Sequence, residues 1–400
     1  MGDRALAHIE KIINTYPIDG ADNIEMAQVL DFHVVVKKGE FKVGDLAVYI
    51  EIDSIVPDGL PAEYNEQYIE KRAKRKSASE DDQINIEKEI AEIVSHNTRP
   101  EFEFLRSKHF KIKAMKYSRF GIISQGILFK TDILPADIQP KVELDVTEIL
   151  GITREIEDPD DAPAIPRSAF HRYMMKYKWF RKYFGNKKKN PGGWLSYFPS
   201  PSDETNVQKI YSKLYDQYKD EEFYVSEKME GQSLSIFLKK DKGFLWFKKD
   251  KFGVCSRTQI KKQHCGFIET ANRLELEKKL RKINKSIFVR GEHCGGKIQG
   301  NIYKFPETKF LVFEVYDFDE KRFYTYDELK EFCITYEFDM VPILDEHFKL
   351  LDNSQDILKM SNGKSVYANV LREGIVIRLK RDVKVSFKAR SPEYLIKHGK

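Results

Sequence analysis

A lysine with carboxylates close on both sides, at residues 227–230, is the first candidate for chemistry. Glu227, Lys228, Glu230 and Gly231 interrupt the segment FYVSEKMEGQSLSIFL, whose flanking apolar residues predict β-strands. A lysine nucleophile must be neutral, and an ordinary pKa near 10.4 leaves less than about a thousandth of it neutral at pH 7. Desolvation and a nearby positive charge both lower the pKa of a lysine. The segment therefore predicts a covalent site if the chain also supplies cations and metal-binding carboxylates.

Other segments supply both kinds of group at the ends of predicted strands. Glu292 ends one strand and Glu373 begins another, and Lys384, Lys388 and Arg390 follow on its predicted hairpin partner. Each glutamate taken singly is better explained as a surface residue at a strand end. The order of these groups along the chain is what favours a common site.

The ordered motifs resemble those of the nucleotidyltransferase superfamily, which contains the ATP-dependent ligases and the mRNA capping enzymes. Their residues, in chain order, are Lys228-Met229-Glu230-Gly231, Ser256-Arg257, Arg290-Gly291-Glu292, Val312-Phe313-Glu314, Glu373-Gly374-Ile375-Val376 and the basic strand that ends at Lys388. The four-residue motif around the lysine is weak alone, whereas the ordered set is specific.

Within that superfamily the chain resembles RNA ligases of the Deinococcus–Naegleria type. The resemblance rests on FPSPSDETNVQ before the lysine, on the turn from Gly295 to Tyr303 with its Gln299, Gly300 and Asn301, and on an OB-like block placed N-terminally. It covers about three-quarters of the chain. Two departures stand out: Glu230 replaces the commoner aspartate, and the last motif holds one lysine, Lys388, where two are usual.

The resemblance implies a role for each candidate residue. Lys228 would attack the α-phosphate of ATP to form lysyl-AMP, with Lys388 and Glu373 as the other catalytic residues. The other implied sets are ATP binding by Glu227, Glu292, Phe313 and Lys384, RNA binding by Arg257 and Arg390, and Mg²⁺ or Mn²⁺ held through water by Glu230 and Glu373. Two roles are possible for Phe313, stacking on adenine or packing in the core. Lys384 and Arg390 are the two candidates for the missing second cation of the last motif.

Length and pattern predict an α+β fold in two domains, since 400 residues exceed what one hydrophobic core usually supports. Short strands with glycine turns predict an N-terminal OB-type β-barrel domain over 1–150, with a charged, partly helical insertion at 63–97. The C-terminal nucleotidyltransferase domain is predicted over 198–400. Its predicted strands are 224–238, 286–292, 309–317, 373–380 and 383–388, and its predicted helices are 204–219, 266–284 and 326–336.

The predicted linker at 151–197 begins acidic and proline-rich and then becomes basic and aromatic. Residues 167–189 contain nine Lys or Arg and no acid, interleaved with aromatic residues. Such a mixture suits single-stranded nucleic acid, because cations follow the phosphates while rings stack on bases. An amphipathic helix packed on a domain explains it equally well.

Composition and the distribution of apolar residues indicate where the protein acts, but not which reaction it catalyses. The charge excess, 68 − 63 = 5, is too small to indicate a nucleic-acid partner alone. The absence of a long apolar run or signal peptide predicts an intracellular protein, cytoplasmic or nuclear, without a membrane partner. The cysteines Cys255, Cys265, Cys294 and Cys333 form no C-x-x-C pair and are interpreted as reduced thiols rather than zinc ligands.

The predicted function is an ATP-dependent RNA ligase, a monomer that repairs RNA by sealing 5′-phosphate to 3′-hydroxyl ends through lysyl-AMP and RNA-adenylate. The alternatives are a DNA ligase, a capping guanylyltransferase and a catalytically inactive RNA-binding relative. DNA ligases and capping enzymes generally carry an OB domain after the last motif, where this chain has 400 − 388 = 12 residues beyond Lys388. The retained lysine and three carboxylates argue against an inactive relative.

Overall fold

The computed structural model describes residues 5–75, 78–154, 194–201, 203–240, 250–262 and 265–398. The described residues divide into two compact units, an N-terminal one up to Arg154 that also includes 395–398, and a C-terminal one within 194–394. Most of the predicted linker, including the basic and aromatic segment 167–189, lies outside the described residues.

The N-terminal unit is built on an antiparallel sheet with the order β3-β2-β1-β4-β8. Its first strand pairs with β4 over its first half and with β2 over its second half, with an irregularity between Ile12 and Asn14. Such a break lets one strand bend from one side of a small barrel to the other. The strands are β1 (Ala7–Pro17), β2 (Ile24–Val29), β3 (Phe32–Lys37), β4 (Leu46–Ile50), β5 (Ser54–Ile55), β6 (Met115–Tyr117), β7 (Ile122–Ser124), β8 (Ile127–Lys130) and β9 (Thr153–Arg154).

The charged insertion of this unit contains two helices, α1 (Ala62–Arg75) and α2 (Glu80–Ser95). Ion pairs join them, Lys71 to Glu89 and Arg75 to Glu87. Helix α1 buries none of its residues, so polar contacts rather than a core hold much of this hairpin. Two short 3₁₀ segments follow, Pro100–Lys108 and Thr131–Ile133.

The C-terminal unit contains two sheets, with strand orders β10-β20-β19-β11-β18 and β14-β13-β12-β15-β16-β17. Every pairing is antiparallel except that of β10 with β20. The strands are β10 (Thr205–Asn206), β11 (Phe223–Lys228), β12 (Gln232–Lys239), β13 (Lys251–Cys255), β14 (Ile260–Lys261), β15 (Ile287–Cys294), β16 (Lys309–Asp317), β17 (Arg322–Phe323), β18 (Ile343–Phe348), β19 (Gly374–Leu379) and β20 (Ser386–Arg390). The helices of this unit are α3 (Val207–Tyr218), α4 (Gly266–Arg273), α5 (Leu276–Lys282), α6 (Tyr326–Thr335) and α7 (Ser354–Ser361), and a short 3₁₀ segment lies at Ile298–Asn301. The last helix, α8 (Pro392–His398), crosses the boundary between the units, which falls after Tyr394.

Each of these two sheets buries one face under helices. Leu234, Val289 and Val312 of the six-stranded sheet share a core with residues of α4, α5 and α6. Val225 and Ile377 of the five-stranded sheet share another with residues of α3 and α7. Because side chains alternate along a strand, the residues between these apolar positions point to the opposite faces, where the polar motifs lie.

The observed helices and strands differ from the predicted ones at three places. The predicted strand 224–238 is two strands separated by the turn at Met229–Gly231. The predicted helix 266–284 is divided near Glu275, which adopts a left-handed conformation. The strand predicted to start at residue 383 begins at Ser386. No helix in the described part of the chain has the length and apolarity that crossing a membrane requires.

Gly374 gives a stability prediction, because it lies opposite Lys228 on one neighbouring strand and Arg390 on the other. A Cβ atom there would stand 2.2 Å from the carbonyl oxygen of Ala389, a backbone atom that cannot rotate away. We expect Gly374→Ala to lower the free energy of unfolding by about 1–3 kcal/mol, measured by urea denaturation. The matched control is Gly266→Ala, where a Cβ meets nothing within 4 Å; an equal loss in both variants would contradict this account.

Candidate active site

The inner face of the five-stranded sheet carries a row of cations. Strand alternation places Arg378 between the buried Ile377 and Leu379, and Lys388 between the buried Phe387 and Ala389. Register places Lys388 opposite Val376, and Lys228 at the end of its strand opposite Gly374. The predicted nucleophile and the basic strand therefore belong to one face of one sheet.

A β-bulge on the six-stranded sheet presents Phe313 and Glu314 together. Arg290 pairs with Glu314 but the next residue, Gly291, pairs with Val312, so Phe313 is the extra residue. Val312 packs toward the helices, whereas Phe313 lies in a separate cluster and Arg378 lies over its ring, 5.2 Å from the centroid. The bulge thus turns two adjacent side chains toward the face that meets the row of cations.

Lys228 is paired with a carboxylate. Its Nζ atom lies 2.7 Å from Oε2 of Glu373, and the other oxygen of Glu373 lies 3.7 Å from Nε of Arg390. Burial disfavours the charged lysine, but the negative charges of Glu373 and Glu292 outweigh it and raise the pKa of Lys228. The side chain keeps 24% of its surface exposed, so the ammonium group is shielded without being sealed from a ligand.

A second carboxylate, Asp203, bridges two other cations. Its Oδ1 lies 3.1 Å from Nζ of Lys388 and its Oδ2 lies 2.9 Å from Nη2 of Arg257. Arg257 follows β13 in the six-stranded sheet, whereas Lys388 lies on β20 in the other sheet. Asp203 therefore joins groups from both sheets of the C-terminal unit.

Beneath this surface lies a buried network of two arginines and two glutamates. Arg290 donates to Glu314 and, at 2.9 Å, to the carbonyl oxygen of Ser200, and Arg378 donates to Glu204. Arg290 and Arg378 are only 2% and 3% exposed. Burial raises the pKa of Glu314, whereas at Glu204 burial is outweighed by the charges of Arg378 and Lys388, which lower the pKa.

Glu227 lies close to two tyrosine rings, those of Tyr303 and Tyr367. It is 1% exposed, and its Oε2 accepts a hydrogen bond from the backbone of Val366 at 2.8 Å. Its Oε1 is buried with no hydrogen-bond partner among the described residues, and burial raises the pKa of this carboxyl group. The negative charge of Glu227 also contributes to raising the pKa values of Tyr303 and Tyr367, after burial, so those rings lie close by.

Glu230, Gly231 and Glu292 meet where the lysine turn approaches strand β15. The backbone N–H of Glu230 donates to the hydroxyl of Tyr303 at 2.6 Å. A Cβ atom at Gly231 would lie 2.5 Å from the carbonyl oxygen of His293 and 3.0 Å from Oε1 of Glu292, so only glycine allows this approach. The turn thereby brings Glu292 into the field of the lysine.

His293 is buried on the far side of this strand. Its Nε2 shares a hydrogen bond of 2.8 Å with the hydroxyl of Thr270, and burial lowers the pKa of its ring to about 4. Asn301 braces the following turn through bonds of 2.8 and 3.0 Å to the backbone of Phe305. Both residues shape the site in the ligand-free chain.

Two family models match the chain, an RNA ligase model over residues 221–390 and an OB-fold domain model over residues 6–88. Solved structures of Naegleria gruberi RNA ligase variants also match. A variant with ATP and Mn is 26% identical, with a TM-score of 0.72 and coverage of 100% of this chain and 99% of its own. A second variant with ATP and Mn (26% identity, TM-score 0.73) and one with AMP and Mn (27% identity, TM-score 0.72) each cover 99% of both chains. Comparison with curated protein sequences gave no match.

The chain is similar along its whole length to the Naegleria gruberi RNA ligase variants, and together with the RNA ligase model these matches show an ATP-dependent RNA ligase of that type. The predicted family is therefore confirmed, as is the fold class of an OB-type domain followed by an α+β ligase domain. The RNA ligase is an enzyme whose substrates are RNA ends.

Within the RNA ligase, the structure separates the two candidates for the second cation. Arg390 lies two residues beyond Lys388 on the same strand and contacts Glu373. Lys384 precedes that strand, is exposed, and lies 5.5 Å from the ring centroid of Phe323. The geometry brings Arg390, and not Lys384, into the group around Lys228.

Sequence reasoning missed several polar residues of this site. Asp203, Glu204 and Arg378 were not singled out, and Arg290 was noted only as part of a motif. The one available signal was the acidic pair inside FPSPSDETNVQ, a segment that otherwise resembles a loop. Their long-range partners become visible only in the folded chain.

The pair between Glu204 and Arg378 gives a second stability prediction. Removing one partner of a buried pair leaves the other charge uncompensated, so we expect Glu204→Gln to lower the free energy of unfolding at pH 7 by about 3 kcal/mol in urea denaturation. Since the pKa of Glu204 is lowered in the folded state, the loss should be full above the unfolded pKa near 4.5 and vanish as pH falls through the folded value.

The control for this prediction is Glu222→Gln, which removes an exposed carboxylate paired with Lys380. We expect it to leave the unfolding curve unchanged at neutral pH. A Glu204→Gln effect that persisted undiminished at acid pH would contradict the assignment to charge pairing.

Proposed function

We propose that this RNA ligase repairs RNA by joining a 5′-phosphate to a 3′-hydroxyl through a lysyl-AMP intermediate on Lys228. The observation that carries the proposal is the position of Lys228 Nζ, 2.7 Å from Glu373 and on the same sheet face as Lys388 and Arg390. A carboxylate beside a shielded lysine, among cations suited to phosphate, is the arrangement that nucleotidyl transfer to an amine requires.

The proposed reaction has three balanced steps. The neutral Nζ of Lys228 attacks the α-phosphorus of ATP, a P–N bond forms as the nitrogen loses a proton to water, and the bond to pyrophosphate breaks as that group leaves. A 5′-phosphate oxygen of the RNA then attacks the same phosphorus, which forms a 5′–5′ pyrophosphate and breaks the P–N bond, and the nitrogen takes up a proton from water to restore the lysine. Finally the RNA 3′-hydroxyl attacks the 5′-phosphorus, loses its proton, and AMP departs.

The base of ATP would lie beside Glu227. The Oε1 atom of Glu227, buried and without a hydrogen-bond partner among the described residues, can accept a hydrogen bond from an exocyclic amino group. Phe313, re-aimed by the bulge, supplies a ring for the base, and Glu292 can accept hydrogen bonds from the ribose hydroxyls. The Naegleria gruberi relatives solved with ATP or AMP support this assignment.

A divalent cation, Mg²⁺ or Mn²⁺, fits the carboxylates near the lysine. Glu373 and Glu230 would hold it through water, because oxygen ligands and retained water suit these ions. When bound, the ion supplies positive charge that neutralises the phosphates of ATP. In the described part of the chain no group of three or more His, Cys, Asp or Glu is arranged as a direct metal cage, which water-mediated binding does not require. The relatives solved with Mn support a metal here.

Phosphate binding falls to the cations of both sheets. Lys388 would neutralise the α-phosphate as charge develops, and Arg257 would bind the 5′-phosphate of the RNA. Arg390 supplies the second charge of the last motif in place of Lys384. The basic segment 167–189 would hold RNA outside the described residues, and the enzyme would act as a monomer.

Covalent labelling tests the proposal directly. Wild-type protein incubated with ATP labelled at the α-phosphate and with Mg²⁺ or Mn²⁺, in the absence of RNA, should acquire covalent label that survives denaturing gel electrophoresis and is released by acid. Lys228→Ala should acquire none, because the P–N bond has no nitrogen to form on. Equal labelling of the two proteins would reject Lys228 as the nucleophile.

Two further substrates separate the rival activities. Label from GTP but not from ATP would indicate a capping enzyme. Sealing of nicked duplexes whose 3′-hydroxyl belongs to deoxyribose as readily as to ribose would indicate a DNA ligase. We expect label from ATP and a requirement for ribose at the 3′-hydroxyl side.

The pH dependence of labelling follows from the state of Lys228. Since Glu373 and Glu292 raise its pKa in the ligand-free chain, the attacking neutral form is scarce at neutral pH. We expect the single-turnover rate of adenylylation, at saturating ATP and metal, to rise about tenfold per pH unit from pH 6 until the pKa of the complex is reached. A rate independent of pH over that range would contradict loss of the lysine proton as a requirement of the step.

A further inference from the structure

The geometry points to Asp203 as an internal anion that occupies, in the ligand-free enzyme, the place of a phosphoryl group of the substrate. Its two carboxylate oxygens contact one cation each, Lys388 at 3.1 Å and Arg257 at 2.9 Å. This inference rests on the proposed function, which assigns those two cations to phosphate. Asp203 itself is given no role by that function.

The fold holds Asp203 in place, because the backbone on both sides of it is fixed by hydrogen bonds. Before Asp203, the carbonyl oxygen of Ser200 accepts a hydrogen bond from the buried Arg290. After it, Glu204 accepts from the buried Arg378. The next two residues, Thr205–Asn206, pair in parallel with Phe387–Lys388, so the backbone is fastened on both sides of Asp203.

A phosphoryl group can replace the carboxylate because both present oxygens that carry negative charge. The ligand and Asp203 cannot share the same donors at full strength, and two anions at that spacing repel each other. Binding of phosphate must therefore weaken the Asp203 contacts. Asp203 and Arg257 keep 21% and 23% of their side chains exposed, which leaves the exchange open to water.

Arg257 also has a hydrogen-bond donor that Asp203 does not use. Its Nε is buried and has no hydrogen-bond partner among the described residues, although its Nη2 is bonded to Asp203. A buried unpaired donor on a guanidinium group costs free energy, and a phosphate oxygen would satisfy it. A single carboxylate has already committed one oxygen to Lys388, so Asp203 leaves this donor unfilled.

Asp203 thus holds Lys388 and Arg257 in position, and it competes with phosphate for binding to them. A variant without the charge should bind the phosphoryl group more tightly while binding the nucleoside as before. A residue with a merely structural role would weaken both ligands, so the two affinities together separate the explanations.

The test compares AMP with adenosine by isothermal titration calorimetry on the full chain. We expect the isosteric variant Asp203→Asn to bind AMP about three- to tenfold more tightly than wild type, the range for loss of a partly exposed charged hydrogen bond, and to bind adenosine unchanged. Glu222→Gln, which removes one exposed negative charge from the same unit, should change neither affinity. Unchanged or weaker AMP binding by Asp203→Asn would overturn the inference.

The double variant Asp203→Asn/Lys388→Gln keeps the inference falsifiable if loss of the charge also destabilises the fold. If Asp203 competes with the phosphate of AMP at Lys388, replacing Asp203 in the Lys388→Gln background should give a smaller gain in AMP affinity than in wild type. An equal gain in both backgrounds would place the effect elsewhere and reject the inference. Lysine labelling of the wild-type protein decides the proposed function separately, because a labelled enzyme whose AMP affinity ignores Asp203 retains the function and loses only this inference.

Discussion

Several positive charges lie on one face of the five-stranded sheet and are partly buried. The site depends on balancing these charges. Alternation along the strands puts Lys228, Arg378 and Lys388 on the same side, so their charges repel one another in surroundings that screen poorly. The ligand-free fold balances them with carboxylates, Glu373 beside Lys228 and Asp203 beside Lys388. Both acids thereby offset the repulsion between the cations of this face.

In the six-stranded sheet, the β-bulge at Phe313 supplies a negative charge that balances these cations. Regular alternation would send Phe313 and Glu314 to opposite faces, one into the helix-covered core and one toward the cations. With Phe313 as the extra residue, the ring lies under Arg378 and the carboxylate still reaches Arg290. The same irregularity thus turns an aromatic ring and a buried counter-charge to one face of the nine-residue strand β16.

The parts of the site that sequence could predict are those written in local pattern. Alternating apolar residues located the strands that carry Lys228, Glu292 and Glu373, and glycine marked where backbones come close, because those signals depend only on neighbours. Asp203 lies in a proline-rich segment with no periodicity, and its partner Lys388 is 185 residues away, so no local signal connects them. Arg378 is 3% exposed although arginine is usually at the surface, since only the tertiary fold supplies its acidic partner.

Glu373 and Glu292 raise the pKa of Lys228 and so oppose loss of the proton that an attacking amine must lack. Three influences act on the ammonium group: burial lowers its pKa, Glu373 with Glu292 raises it, and Arg390 lowers it. Under the proposed function, a divalent cation held through water near Glu373 would offset the charge that contributes most to raising the pKa, so that only Glu292 would still oppose burial and Arg390. Glu373 would then couple metal binding to loss of the lysine proton, and Asp203 would couple in the same way to phosphate binding at Lys388.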